Sequence, residues 1–558
     1  AWEMFERGDW VVPTFNGELR THKPILLYWV MMSAYHVGGV NEWTARAGSA
    51  LLSVGTVLLT YGVGRRILPG NGGMWAAVVL STTLMFNVAA HAATPDACLI
   101  FCCTAALFSL VYGSNLRCDA DDATATTESN WSTWPGRVHP GWALVAFVAM
   151  GLAVLAKGPV GFVLPLAVWG VFTWWTAPHK ESADATSASL LAQLANKLHP
   201  HRIAQSLLVI RPITAVIVVL VIAAPWYYLV GQRTDGVWLR EFFLEHNVGR
   251  AMRAMEGHRG NPLLYYPIAM LVGFFPWSVF AVPLAIWTWR RRDANRLPHS
   301  HVFLLCWIGV IVTAFSFAST KLPSYVTPTY PAIALLCGDL LATWETRRQS
   351  LAAAWPQRAA LTLALIGCII IIGLPVAAHF VLPGEAWLGI IGLIPAIGGT
   401  LMWKHLRAER FDAGFRVAGG TAILLSLAIW GLVVPQVSRH QEISKLLERT
   451  RHEQSDSPIA SLGVHEPSWI FYAGRTIPLL DPTETQVAAE ILNQPGGQLI
   501  VSRSMYEQSL QQLPVDVSVR KAVPYFLKDE QLLLLERNDR ATITHRSTSS
   551  DAPFEAMR

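Results

Sequence analysis

Ahead of residue 440 the chain is a succession of apolar runs, many close to the roughly 20 residues that cross a bilayer as a helix. Hydrocarbon offers backbone N–H and C=O groups no partners, so such runs must close their hydrogen bonds within themselves. That restricts this part of the chain to a bundle of membrane helices. The spans predicted are 45–63, 74–90, 97–112, 142–156, 159–176, 212–230, 263–289, 302–319, 326–343, 359–381, 386–403 and 417–435, about twelve in all. Charged residues make up only 15% of the 558, against about 25% in ordinary soluble proteins, and the deficit lies in this region. The net charge of +5 does not suggest nucleic-acid binding, so no nucleic-acid partner is expected.

The loops assign an orientation. One alternate set carries Arg65-Arg66, Lys180, Lys197, Arg202, Arg211, Arg290 to Arg292, Arg347-Arg348, Arg358, Lys404, Arg407 and Arg410. By the positive-inside rule these face the cytoplasm, together with the acidic, flexible insertion "CDADDATATTESN". The other loops, with Lys23, Asp96, Lys157, residues 231–262 and Lys321, then face outward. "KPILLYWVMMSAYHV" is short for a span and reads as an interfacial helix opened by Pro24.

Beyond about residue 440 the pattern changes. "SPIASLGVH", "WIFYAG", "GQLIVSRS" and "QLLLLERN" read as strands; "ETQVAAEILNQ" and "SMYEQSLQQL" read as helices. Their alternation predicts a small α/β domain, without a glycine-rich phosphate loop. The expected organisation is an outer interfacial segment 1–44, a membrane domain 45–437, an outer α/β domain 438–540 and a disordered tail 541–558. The seven cysteines lie in or beside apolar segments as packing residues, and the final domain has none. The chain opens at "AWEMFERGDW" without Met or a first apolar span, so further N-terminal residues are expected before it.

Several polar groups interrupt the apolar pattern on the outer side. Lys23 beside Pro24 reads either as a snorkelling lysine at a helix start or as an anion ligand. "TPDA" has the form of a helix start, with Asp96 complementing the helix dipole. Lys157 in "LAKGPVG" and Lys321 in "STKLPSY" sit at helix ends, where a snorkelling role competes with a binding one. The loop 241–267 differs in kind. His246, Arg250, Arg253, His258 and Arg259 cluster there among aromatics, on the side where the positive-inside rule gives cations no advantage. This is the chemistry of a phosphate pocket. The spacing of His246 and His258 matches no helical metal pair. Together the groups predict an outward cavity, reachable from the lipid, for an amphiphile with a phosphate head group.

"GDWVVPTFNGELRTHKPILLYW", "NEWTARAGSALLSVGTVLLTYGVGRR", "TPDA", "LAKGPVGF", "FFLEHNVGR…GHRGNPLLYYP…GFFPWS" and "KLPSYVTPTYPA" come in the order of signatures of the bacterial C-type glycosyltransferases. The chain resembles the 4-amino-4-deoxy-L-arabinose (lipid A) transferases and their relatives in the protein O-mannosyltransferase superfamily. The resemblance covers the membrane part and extends more loosely to the final domain. It implies a C-type glycosyltransferase fold of about twelve spans here, thirteen with a first span restored. It also implies inverting transfer of a sugar from polyprenyl (undecaprenyl) phosphate to lipid A or another periplasmic acceptor, at the inner membrane. Carried over, Lys23, Arg250 and Tyr325 hold phosphate, His246 hydrogen-bonds there, Lys157 and Lys321 neutralise charge, and Asp96 orients the sugar or acceptor as the catalytic residue. The family's acidic motif is expected just before Ala1. His22 stands where an acid is usual. These motifs establish no cofactor; a divalent metal stays open, with His22 and His258 as weak candidate ligands.

Two other readings compete. Transfer to protein hydroxyls would need a general base. A polyprenyl-linked sugar transporter would show repeated halves and polar groups near the bilayer midplane, whereas here they collect at one face.

Overall fold

The computed structural model describes residues 1–118, 134–177, 200–249, 252, 264–293, 297–346, 354–442, 447, 457–509, 517–526, 528 and 530–537. The acidic insertion after Cys118, Lys180, Lys197, Arg250, Arg253, His258, Arg259, Arg347-Arg348 and the tail 541–558 lie outside them. The described chain forms two compact units. One contains residues 1–14, 19–374 and 389–429; the other contains 15–18, 375–388 and the chain from 430.

The first unit is helical. Its main helices are α1 (Leu26–Gly38), α2 (Glu42–Ile67), α3 (Gly72–Ser81), α4 (Leu84–His91), α5 (Pro95–Gly113), α6 (Pro140–Lys157), α7 (Val160–Thr176), α8 (Pro200–Ile210), α9 (Pro212–Arg233), α10 (Tyr265–Gly273), α11 (Ala281–Asp293), α12 (His299–Phe317), α13 (Tyr330–Thr346), α14 (Ala354–Val381), α15 (Leu393–Arg407) and α16 (Phe411–Ala428). The predicted spans fall mostly on helix, with residues 82–83, 274–276 and 318–319 the main breaks. Among the described residues eight helices are long and apolar enough to cross a membrane, or ten if two bent pairs each count as one span. The protein is a polytopic α-helical membrane protein.

The bends have local causes. Between α3 and α4 the direction changes by 61°. Here Thr82 and Thr83 turn their hydroxyls back onto the carbonyls of Val78 and Val79, each at 2.7 Å. Trp277 Nε1 donates to Thr82 Oγ1 at 2.7 Å, so the break carries its own hydrogen bonds. The segment predicted as one span over 263–289 is bent by 119° between α10 and the helix from Trp277. Pro276 has no N–H with which to continue the helix. The start of α1 is a further correction: the helix begins at Leu26, and Pro24 lies before its cap. α2 starts as its sequence directs. Asn41 Oδ1 accepts from the N–H groups of Trp43 and Thr44 at 3.0 Å, and Thr44 Oγ1 accepts from Asn41 N at 3.2 Å.

Small residues let the helices touch. A Cβ on Gly73 would lie 2.7 Å from Arg65 N and 3.0 Å from the carbonyl carbon of Gly64. α2 and α3 therefore meet backbone to backbone, as small residues permit between membrane helices. Inside this bundle His301 Nε2 lies 3.2 Å from Asp339 Oδ2, linking α12 to α13.

The second unit holds a five-stranded sheet, β3 (Ile459–Leu462), β4 (Leu479–Leu480), β5 (Gln498–Ser502), β6 (Val517–Pro524) and β7 (Gln531–Arg537). It follows β1 (Thr14–Phe15) and β2 (Glu18–Leu19), a separate N-terminal hairpin. The sheet order is β4-β3-β5-β7-β6, with β3 parallel to β4 and β5, and β7 antiparallel to β5 and β6. Alternate residues of the central strands enter two different cores. Ile459, Ile500, Leu532 and Leu534 pack with Trp469 of α17 (Pro467–Ala473). Ala460, Leu499, Val501, Leu533 and Leu535 pack with Ala488 and Leu492 of α18 (Thr485–Asn493). "WIFYAG" is thus helix rather than strand. Pro467 supplies the first-turn position and Gly474 the left-handed stop, and Trp469, Ile470 and Ala473 form one buried helical face. A short helix, α19 (Arg503–Ser509), follows β5. The hairpin tip, Asn16 (φ 58) and Gly17 (φ 81), has the left-handed pair that a tight two-residue turn demands. Asn16 exchanges two 2.8 Å hydrogen bonds with the backbone of Ile477.

Candidate active site

α5 starts with Pro95 and carries Asp96 in its first turn; α6 ends at Lys157. A carboxylate at a helix start and an ammonium at a helix end each complement the helix dipole, so each residue alone suits its position. The packing of α5 against α6 brings those termini together. Lys157 Nζ donates to Asp96 Oδ1 at 2.5 Å, with 10% and 16% of the two side chains exposed. The same ammonium lies 4.9 Å from the centroid of the Tyr325 ring, within cation–π range. Tyr325 is placed by a 3-10 turn, Pro323–Thr329.

Gly158 follows Lys157 with φ +79, a conformation that suits glycine. A Cβ there would also lie 2.7 Å from Phe242 Cζ. Phe242 belongs to a π-helix, Glu241–Gly249, the same element that carries His246. On the other side Leu27 of α1 packs with Cys98 and Ala156, neighbours of Asp96 and Lys157. Lys23, half-buried, stands four residues ahead of Leu27. The Lys157–Gly158 turn is thus the point on which Asp96, Tyr325, the π-helix and the start of α1 converge.

His246 is held by groups the sequence did not single out. Its Nε2 lies 3.2 Å from Thr21 Oγ1, and that hydroxyl donates to Glu241 Oε2 at 2.9 Å. The His22 ring stacks on His246 at 4.3 Å and 28°. Imidazole lone pairs lie in the ring plane, so two stacked rings do not aim at one ion. Among the described residues no three His, Cys, Asp or Glu side chains are grouped to hold a metal, and no step below runs through one. Arg250 and His258 lie outside the described residues.

Lys321 is 4% exposed. Its ammonium donates to the carbonyls of Ser316 and Ala318, both at 2.8 Å, and so closes the C-terminal end of α12. Burial pushes that ammonium below the usual lysine range. Tyr266 lies 5.8 Å away, ring centroid to Nζ, and Tyr265 donates to the Lys321 carbonyl at 3.3 Å. The position of Lys321 is that of a capping group beside the aromatic wall.

A cation braced by a carboxylate and a tyrosine ring thus lies where α5 begins and α6 ends. Comparison with known proteins finds relatives and a similar fold. Residues 3–239 match the dolichyl-phosphate-mannose-protein mannosyltransferase family. A protein of uncharacterised function from Aquifex aeolicus is 28% identical over 65% of this chain and 62% of its own length. The chain thus spans less than two thirds of that relative. The undecaprenyl phosphate-alpha-4-amino-4-deoxy-L-arabinose arabinosyl transferase of Pectobacterium atrosepticum is 26% identical over 81% of this chain and 75% of its own length. The fold is similar to that of ArnT from Cupriavidus metallidurans, crystallised with undecaprenyl phosphate. The TM-score is 0.69 at 20% identity, over 96% of this chain and 91% of that one. The N-terminal part of the chain is thus similar to the protein mannosyltransferases, and most of the chain is similar to an aminoarabinose transferase.

Proposed function

We propose that the protein transfers a sugar from an undecaprenyl-phosphate carrier to an acceptor on the periplasmic side of the inner membrane, and that the sugar is 4-amino-4-deoxy-L-arabinose and the acceptor lipid A. The observation that carries this reading is the Lys157 ammonium, fixed between Asp96 and Tyr325. An acceptor oxygen attacks the anomeric carbon from the side opposite the carrier, with inversion. The bond from that carbon to the carrier phosphate oxygen breaks, and its electron pair leaves with the phosphate. A phosphodiester of charge −1 becomes a monoester of charge −2, so the new charge develops on the leaving group. A preorganised cation at that point stabilises the transition state more than the bound donor. Lys157 is that cation. Asp96 holds it and orients the sugar or acceptor, Lys23 and Arg250 bind phosphate, and Tyr325 and His246 complete the pocket. A phosphate acceptor is already ionised near neutral pH and needs no strong base.

The mannosyltransferase match over residues 3–239 supports a second reading, transfer to protein hydroxyls. The full-length gene product in a host lacking its own aminoarabinose transferase separates the two. Mass spectrometry of lipid A is expected to show the aminoarabinose addition, and Lys157→Ala to abolish it. Unmodified lipid A, with donor present and the protein well expressed, overturns the aminoarabinose reading; sugar on periplasmic proteins would then establish the second.

A further inference from the structure

The π-helix arranges its side chains in a way an α-helix cannot. Residues five apart share a face when the backbone bonds run i to i+5, whereas in an α-helix they diverge by about 140° around the axis. Glu241 and His246 are such a pair, and both reach the single hydroxyl of Thr21, which is buried. Phe242 and Asn247 are the next pair. Asn247 Nδ2 donates to the Phe242 carbonyl at 2.7 Å, and both side chains lie against Gly158. One face of the π-helix thus grips the strand that leads to Lys23, and the other backs the turn that ends in Lys157.

The direction of the Thr21 bonds follows from chemistry. An ionised carboxylate only accepts, so the one proton of the Thr21 hydroxyl goes to Glu241. Towards His246 the same oxygen can then only accept, and Nε2 of His246 must carry hydrogen. The neutral ring therefore has its acceptor at Nδ1. We infer that Glu241 is a positioning residue: acting through Thr21, it fixes the Nε2–H tautomer and the ring plane of His246, while His22 covers one face of the ring. This rests on the sugar-transfer reading and deepens it. In that tautomer the Nε2 proton of His246 goes to Thr21 and Nδ1 is an acceptor, chemistry suited to a sugar hydroxyl or ammonium of the substrate rather than to a phosphate oxygen.

The test combines a spectroscopic signature with kinetics, on the full-length protein in lipid nanodiscs. With 15N-histidine labelling, the His246 signals are assigned by their loss in His246→Gln. The neutral ring is expected to show a pyrrole-type Nε2 and a pyridine-type Nδ1. Thr21→Val and Glu241→Ala are expected to mix the tautomers and to lower kcat/KM for transfer about tenfold, with elution profile and thermal midpoint near wild type; Thr21→Ser is expected to restore both readouts. A pyrrole-type Nδ1 in the wild type, or a tautomer unmoved by Thr21→Val, overturns the inference. So does a shifted tautomer with wild-type transfer rates, because Glu241 would then order a ring the reaction does not use. Failure of the underlying reading is seen separately, as absence of transfer by the wild-type protein, and leaves the tautomer signals to be read on their own.

Discussion

Two carboxylates in this protein meet basic side chains among apolar helices, and they differ in where along the helices they do so. Asp96 and Lys157 meet where one helix begins and another ends. His301 stands in the first turn of α12, whereas Asp339 lies well inside α13; both are 1% exposed, and the Trp287 ring sits 5.2 Å from the imidazole. Pairing removes neither cost of burial, because desolvating two charged or polar groups offsets much of their attraction. A pair sealed on all sides can act only on the structure, by fixing α12 against α13. The pair at the helix termini is less enclosed, with 10% and 16% of its side chains exposed. The same chemistry thus fastens in one place and, on the function proposed above, serves a ligand in the other, with access as the deciding variable.

The largest effect expected tests the sealed pair. Asp339→Ala leaves the buried imidazole without its carboxylate and should cost about 3–5 kcal/mol, read as loss of the folded fraction in detergent by thermal unfolding. Replacing both partners, His301→Leu with Asp339→Leu, should recover most of it, since an apolar pair of similar volume carries no desolvation cost. If Asp339→Ala unfolds no more easily than wild type, the pair is no fastener and the contrast collapses. At the terminal pair the expectation reverses. Lys157→Ala should lower transfer at least ~100-fold, about 3 kcal/mol of transition-state stabilisation, while shifting the unfolding midpoint by only a few degrees. Lys157→Arg should recover part of the rate, because the charge returns in a shape that Asp96 and Tyr325 are not spaced to hold.

How much of this was legible in the sequence divides along the same line. The apolar runs gave the helices, since 20 consecutive apolar residues have few other fates. Asp96 and Lys157 stood out singly, but residues 61 positions apart (157 − 96) carry no sign that they bond. Lys321 stood out for the same reason, and its ammonium closes the end of α12. Thr21 and Glu241 passed unnoticed because their link to His246 depends on a π-turn, and i to i+5 pairing falls outside the 3.6-residue period that sequence patterns reveal. "WIFYAG" reads as a short strand-like run between turn residues; its helical signal is the Pro467 before it and Gly474 at its end.

A smaller effect probes what separates an accessible pair from a distorted one. Gly158→Ala changes no charge, yet it strains a backbone at φ +79 and drives a methyl to within 2.7 Å of Phe242 unless that ring moves. The strain should cost about 1–3 kcal/mol and push the π-helix away from Lys157. Transfer should fall about tenfold, roughly 1.4 kcal/mol, with a rise in the KM for the donor. Unchanged kinetics would mean that Lys157 needs only Asp96 and Tyr325 for its placement.

The smallest effect concerns His465, which among the described residues has no ion-pair carboxylate like that of His301. His465, in the second unit, is half-buried, its ring 5.9 Å from Phe15 and 6.1 Å from Trp469. Burial lowers its pKa below the ordinary value of 6.5. The folded state therefore favours the neutral ring, and the unfolded state takes up a proton first as pH falls. Stability linked to His465 is fully present above pH 6.5 and declines below it, until the folded form protonates as well. Hydrogen exchange of the β3 and α17 peptides in the whole protein should thus speed up between pH 7.5 and 5, beyond the intrinsic pH dependence of exchange, and His465→Gln should flatten that excess. An opposite slope, with protection rising as pH falls, would mean that an anionic partner faces the ring, and His465 would then belong with His301 rather than stand against it.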